Sequence, residues 1–395
     1  PFANMSPDPE NEYFSDGITE EIINALSKLQ DLRVAARTSC FTFKGQSPDI
    51  REVGDKLHVG TVLEGSVRKA GNRLRITTQL INVADGYHLW SERYDREMTD
   101  VFAVQDEIAA AVVEKLKVSL LGPPAAGARD RHSNDLEAYE LYLRGRHLWN
   151  QRGESMKKGL ACFQKALQRD PGYALAHAGM ADAHALIGLW SGTRGYDSFE
   201  KGKAAAKQAL ALNPSLAEAH ASLGFIAMFH DWEWAVAEKE ILRALELNPG
   251  YVEAHLFYGQ YLGWVKGDPE AAVRWLRHGH ELDPLSVTVM AQIGIQLLNC
   301  GLPEEGLGEL DLALELSPNT ANVHVHKAWA LRRLFRYNEA IEVMRVALRL
   351  AGTAPAFSGE LALSYAAAGL PEEAQAILQQ EALRVSTPGC AAVVY

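Results

Sequence analysis

Four of the chain's 13 histidines fall on a fixed beat: His177, His220, His255 and His324 each stand six residues after a proline (Pro171, Pro214, Pro249, Pro318). A zinc site needs nitrogen, sulfur or carboxylate ligands converging at about 2 Å on one ion. One histidine per repeated unit keeps the four apart, so packing at a fixed helix face is the expected role. The pairs His278/His280 and His324/His326 are spaced i, i+2 and cannot share a helix face. Cys40, Cys162, Cys300 and Cys390 form no CxxC pair and fit no zinc spacing. Small, mostly buried thiols are expected. The chain is expected to need no metal and no cofactor.

The remaining polar clusters also have bland explanations. Glu304-Glu305 and Glu372-Glu373 each follow a proline, where acids suit the positive end of a helix dipole better than they suit acid–base catalysis. There is no GxSxG, Walker loop, GxGxxG or kinase signature, and a non-enzyme is expected. Arg68-Lys69, Arg73 and Arg75 make a basic hairpin, a solvated strand face or a phosphate or partner contact. The formal net charge of −11 and pI of about 5.7 argue against a nonspecific nucleic-acid binder, which needs a basic field to displace counterions.

Two hydropathy periods divide the chain. Up to about residue 121 the pattern is mixed α/β. Asp16 is placed to cap a helix with Ile18, Ile22, Leu26 and Leu29 on one face. A short strand is predicted at Leu32–Ala36, and a helix opening at Ser47-Pro48-Asp49. Strands follow around the turns Gly71-Asn72 and Asp85-Gly86, with Leu74, Ile76, Thr78 and Leu80 alternating. Asp100 opens a last helix with Val101, Val104, Ile108, Val112 and Leu116 inward. The expectation is helices packed against a sheet. Pro and Gly at 122–127 break the pattern, giving a linker at 122–133 between two independently folded parts.

Beyond residue 134 only paired helices are predicted. Asn213-Pro214, Asn248-Pro249, Asp283-Pro284 and Ser317-Pro318 punctuate the chain at steps of about 35, 35 and 34 residues, the period of a tetratricopeptide helix–turn–helix array. Asp170-Pro171 lies about 43 residues before Pro214, so that repeat carries an insertion, at 190–197. Small residues recur where helices A and B approach: Gly224, Ala237 and Ala244, then Gly259, Ala272 and Gly279, then Gly294, Gly306 and Ala313, then Ala328, Ala340 and Ala347. About seven units are expected over 134–384, with a tail at 385–395.

Residues 1–121 resemble the TolB amino-terminal-like domain. The likeness rests on 1–6 (PFANMS), 12–21 (EYFSDGITEE), 62–68 (VLEGSVR), 88–95 (HLWSERYD) and 102–108 (FAVQDEI). In bacteria this domain is commonly followed by tetratricopeptide repeats, in the C-terminal region of signalling proteins that carry an adenylate cyclase, serine/threonine kinase or winged-helix output module. The resemblance brings no catalytic residues. It implies that the first strand is truncated and that the chain is a fragment of a longer protein. By likeness to membrane-linked relatives, it slightly favours the periplasmic side of a bacterial inner membrane.

The fold class expected is therefore an α/β N-terminal domain plus an all-α superhelical tetratricopeptide array. Such an array presents a concave surface. Its ligand-facing helix A positions map onto Tyr142, Arg146, Trp149, Phe225, Phe229, Gln260, Trp264, Trp329, Arg332 and Arg333. Aromatic and Arg side chains dominate interface energetics, and the adjacent Arg332 and Arg333 suit a carboxylate. The leading expectation is a non-catalytic interaction module that binds a protein or peptide segment with acidic groups. The alternatives are a small-molecule sensor using the α/β domain, and the regulatory half of a cyclase or kinase.

Overall fold

The computed structural model describes residues 1–29, 32–116, 133, 135–151, 155–190, 196–351 and 355–384. They form two compact units, one from 1–261 with 281–284, the other from 262–280 with the described residues from 285 onward. The linker at 122–132, most of the inserted turn and the tail lie outside the described residues.

The N-terminal elements are β1 (Ala3–Asn4), α1 (Glu12–Ser27), α2 (Arg37–Phe41), α3 (Ile50–Leu57), β2 (Thr61–Ala70), β3 (Arg73–Asn82), β4 (His88–Glu97) and α4 (Val101–Leu116). The sheet order is β1-β2-β3-β4, with β1 parallel to β2 and the rest an antiparallel meander. The meander follows from alternation: Leu74, Ile76, Thr78 and Leu80 are buried along β3. Val101, Val104, Ile108 and Val112 of α4 are buried as expected, while Leu116 is half-buried.

Three local expectations are corrected. α1 begins at Glu12, after a 3₁₀ turn at Pro9–Asn11 capped by Asp8. Asp16 therefore lies one turn inside the helix and caps nothing. Residues 32–36 form no strand and join no sheet, and the Ala36 N–H donates to the Leu282 carbonyl. The cap of α3 is Asp49, whose carboxylate accepts from the Arg51 N–H.

Among the described residues fourteen α-helices follow: α5 (Leu136–Asn150), α6 (Ser155–Arg169), α7 (Ala174–Trp190), α8 (Tyr196–Leu212), α9 (Ala217–Ile226), α10 (Trp234–Leu247), α11 (Val252–Gln260), α12 (Pro269–Leu282), α13 (Val287–Asn299), α14 (Pro303–Leu316), α15 (Ala321–Arg333), α16 (Tyr337–Ala351), α17 (Pro355–Ala367) and α18 (Pro371–Arg384). α5 packs on α6, α7 on α8, α9 on α10, α13 on α14, α15 on α16 and α17 on α18. The small residues do what their spacing predicts. A Cβ on Gly224 would lie 2.5 Å from Ile241 Cγ1 and 3.2 Å from the Ala237 carbonyl oxygen, so any side chain there overpacks α9 against α10.

The turns inside the repeats need a left-handed residue, and Gly267, Gly301 and Gly369 supply it. At the matching turns Trp232 (φ 58°) and Phe335 (φ 59°) take that conformation instead, which is strained for bulky side chains.

Within the first unit the α/β elements and the first helix pairs share one apolar core. It runs from Phe2, Phe14 and Ile18 through Val67 and Ile76 to Tyr139, Phe163 and Tyr173. The period change near residue 121 thus marks a change of architecture without a break in the core.

Candidate functional site

The beat of histidines has a structural cause. The Nε2 atoms of His177, His220, His255 and His324 lie 3.0, 3.1, 2.7 and 2.8 Å from the carbonyl oxygens of Pro171, Pro214, Pro249 and Pro318. A carbonyl only accepts, so Nε2 carries the hydrogen and donates. Each histidine ties its helix A back to the turn six residues earlier. After Pro284 the same position holds Met290, which is buried. Among the described residues, Glu200, His230 and Asp231 offer ligand atoms within 4.8 Å of one another. The Lys203 ammonium already pairs with Asp231, and His230 stacks on Phe199 with ring centroids 4.7 Å apart.

The six candidates in the first unit do not form an open binding face. Tyr142 is core, its ring 6.0 Å from that of Phe163 and 5.2 Å from that of Tyr173. Trp149, Phe225 and Gln260 are buried. Phe225 packs against Phe229 and Phe257 at 4.6 and 4.8 Å. These aromatics sit at helix A positions because the array needs them inside.

Arg146 is the centre of a buried ionic network. Its guanidinium reaches Glu20 Oε1 at 2.6 Å and Asp182 Oδ2 at 3.4 Å and lies over the Trp149 ring at 5.0 Å. Glu20 also pairs with Arg37 at 2.9 Å and accepts from Asn150 Nδ2 at 3.1 Å. Burial pushes the Glu20 carboxyl upward, but Arg146 and Arg37 win and hold it below its ordinary value. On the next turn Asp16 meets His147 Nδ1 at 2.8 Å and the Lys44 ammonium. Burial opposes its ionisation too, and the hydrogen bonds from His147 and Lys44 prevail. Asp182 goes the other way. Burial drives its carboxyl up to about 7, against the pull of Arg146. Asp16 and Glu20 both lie in the run 12–21, and they hold α1 on α5. A single sequence offers no sign of that long-range pairing.

The four candidates in the second unit do come together. Trp264, Trp329, Arg332 and Arg333 line a pocket of about 700 Å³ with Ile295, Leu298, Asn299, Tyr337, Glu360, Leu363 and Ala367. The Glu360 carboxylate accepts from Trp329 Nε1 and from Arg332 Nη2, both at 2.8 Å. Arg332 Nη1 donates to the Ser364 hydroxyl at 3.0 Å. The expectation that both arginines are free for an incoming acid is thereby corrected: Glu360 already neutralises Arg332. Arg333 is exposed and donates to the Leu298 carbonyl, a neutral acceptor, so its charge is uncompensated by that contact. Spacing alone did not disclose Glu360 and Tyr337, because both reach the pocket from neighbouring helices.

No family model matches the chain. A putative adenylate cyclase 3 of Rhizobium meliloti (strain 1021) is 48% identical over 182 residues, covering 46% of this chain and 31% of that protein. The chain is homologous to part of that relative and spans less than a third of its length. The human IFIT1 dimer with m7Gppp-AAAA superposes with a TM-score of 0.51 at 16% identity, over 71% of this chain and 68% of that one. A thermophilic TPR protein of Thermus thermophilus is 20% identical, with a TM-score of 0.42 over 49% of this chain and 98% of its own. At these identities the likeness is one of fold. The helical segment resembles tetratricopeptide-repeat structures. Among the described residues no helix is long and apolar enough to cross a membrane.

Proposed function

We propose that this chain is a non-catalytic interaction segment of a bacterial signalling protein, and that the pocket of its second unit holds a peptide segment pairing one apolar side chain with one acidic group. The observation that carries this reading is the pocket's chemistry. Trp264, Trp329, Tyr337 and Leu363 supply apolar and aromatic wall, and Arg333 supplies a cation whose partner is a neutral carbonyl. A volume of about 700 Å³ is suited to one or two side chains of a bound segment. Arg332 and Glu360 hold the wall in place, and Arg333 meets the acid. A selection from a peptide library tests it. Sequences should emerge with an acidic residue near an apolar or aromatic one, and Arg333→Ala should weaken them about tenfold, the loss of one charge-assisted contact. Peptides without acids, or affinity indifferent to Arg333→Ala, reject it.

Partial homology to a putative adenylate cyclase favours a second, compatible reading. Here the chain is the regulatory part of a nucleotide cyclase-type protein, and residues 1–121 are a TolB-like module that docks on the array through Asp16 and Glu20. Incubated alone with ATP and divalent cation, the chain should form no cyclic nucleotide; turnover would remove the non-catalytic reading.

A further inference from the structure

The outer strand of the N-terminal sheet is left open. β4 is the last strand in the order β1-β2-β3-β4, and among the described residues no strand lies beyond it. It is ten residues long, and all but Trp90 and Tyr94 are exposed. A long exposed edge presents unpaired backbone N–H and C=O groups, which proteins normally shorten, cover, bulge or load with charge. β4 is neither short nor covered by another strand among the described residues, and its charges are of both signs. Its bulge lies at one end, between Leu80 and Ile81 of the partner strand, and leaves 91–97 regular.

The charges along that regular stretch have a particular order. Glu92, Arg93, Tyr94, Asp95 and Arg96 read negative, positive, neutral, negative, positive. Reversed about Tyr94, each of these four charges lands on its opposite, while Glu97 lands on the neutral Ser91. In an antiparallel pair, directly opposed residues share a face of the sheet. Pairing β4 with a second β4 about a two-fold axis through Tyr94 sets Arg93 opposite Asp95 on the open face. On the face that carries α4 it sets Glu92 opposite Arg96. The faces are fixed by the observed register: Asp95 lies opposite Arg75 and Arg93 opposite Thr77, while Tyr94 lies opposite Ile76. Within the chain Asp95 also meets Arg75 at 2.5 Å, and Arg96 meets Glu107 at 3.3 Å. Arg93 is 64% exposed, so it is free to reach outward from its present 3.2 Å pair with Asp95 on its own strand.

We infer that β4 is a homotypic docking edge: two copies of this chain join antiparallel through residues 91–97, in the register centred on Tyr94, merging two four-stranded sheets into one. The occupant is a second copy because the charge order is complementary to itself. A heterologous strand has no need of that symmetry.

The test uses the full chain, whose mass is 43.4 kDa. Sedimentation equilibrium should give a dimer at tens of micromolar. Arg93→Glu alone and Asp95→Arg alone should each weaken it by at least about tenfold, because each turns both copies of an attraction into a repulsion. An equimolar mixture of the two variants should recover the dimer. In the mixed pair the acid substituted at position 93 of one copy faces the base substituted at position 95 of the other, and the native Asp95 faces the native Arg93. Unchanged melting curves for the separate variants exclude a folding defect, and the mixture reads complementarity even where one variant is less stable. Register is read by Ser91→Cys with Glu97→Cys, which should cross-link between chains under mild oxidation while the unsubstituted chain does not. A monomeric wild-type chain, a dimer indifferent to both reversals, failure of the mixture to recover it, or no 91–97 cross-link would each overturn the inference.

Discussion

The Arg146 guanidinium on α5 meets the Glu20 carboxylate on α1 at 2.6 Å, across 126 residues of chain. Both side chains are largely buried, and each is the other's main compensation. Removing one partner of such a pair strands a charge in a poorly solvated site, typically at 3–5 kcal/mol. Arg146→Met should therefore cost about 3 kcal/mol in urea unfolding. Glu20→Leu in the same chain should return part of that loss, because the stranded carboxylate is gone. Equal stability of the single and double variants would show that the pair contributes little.

The same network makes stability depend on pH. The Asp182 carboxyl is hydrogen-bonded by Ser222 and faces Arg146, Glu218 and Glu253. Its folded pKa, about 7, is above the ordinary 3.8. The folded state thus holds a proton that the unfolded chain releases. Stability from this group is full below about 4 and falls as pH rises towards 7, by at most about 1.4 kcal/mol per pH unit. Asp16 and Glu20 are lowered and act oppositely, losing their stabilisation as pH falls through their folded values. Asp182→Asn isolates the first effect. Its stability relative to wild type should improve from pH 4 to 7 and then level off. A difference independent of pH would show that Asp182 is ionised throughout.

Much of the architecture was legible because it rests on local periodicity. The meander follows from alternation at Leu74, Ile76, Thr78 and Leu80, and the helix pairs follow from small residues such as Gly224 facing Ala237 and Ile241. What was illegible is non-local. Tyr142 and Arg146 occupy helix A positions that suit a ligand face, yet Tyr142 packs on Phe163 and Tyr173 and Arg146 is taken up by Glu20 of α1. Glu360 looked like any helix acid until α17 set it beside Arg332. In the second unit, Trp264, Trp329, Arg332 and Arg333 line one pocket.

Phe335 is a position where truncation should help. Its ring is 77% exposed and its backbone is left-handed at φ 59°, where the matching turns use glycine. A bulky residue there costs roughly 1–2 kcal/mol, and glycine's extra unfolded-state freedom offsets about half of that. Phe335→Gly should raise stability by up to about 1 kcal/mol in thermal unfolding. A drop would mean that the T-shaped contact with Tyr337, 6.1 Å between centroids, outweighs the strain.

Each register histidine should contribute through the hydrogen bond to its turn. His255 is buried, and its Nε2 donates to the Pro249 carbonyl at 2.7 Å. His255→Phe keeps the bulk and strands that acceptor, for an expected loss of about 1–2 kcal/mol. His177 is half-buried and makes the same contact at 3.0 Å in a more exposed setting, so His177→Phe should lose less. Equal losses at both sites would mean that ring packing, and not the hydrogen bond, keeps histidine on the beat.

The two pocket arginines should separate. Arg332 is bound to Glu360 and Ser364 within its own unit, so Arg332→Ala should destabilise the chain, by about 1–3 kcal/mol. It should disturb peptide binding only through the altered wall. Arg333 stands exposed at the pocket, so Arg333→Ala should stay within about 0.5 kcal/mol of wild-type stability while losing about tenfold in affinity for acidic peptides. Raising salt should weaken the wild-type complex and leave Arg333→Ala nearly unaffected, because an exposed ion pair is screened and an apolar contact is not. If Arg332→Ala takes the larger share of binding without losing stability, Glu360 yields its place to the ligand's acid, and the two arginines exchange the roles assigned to them.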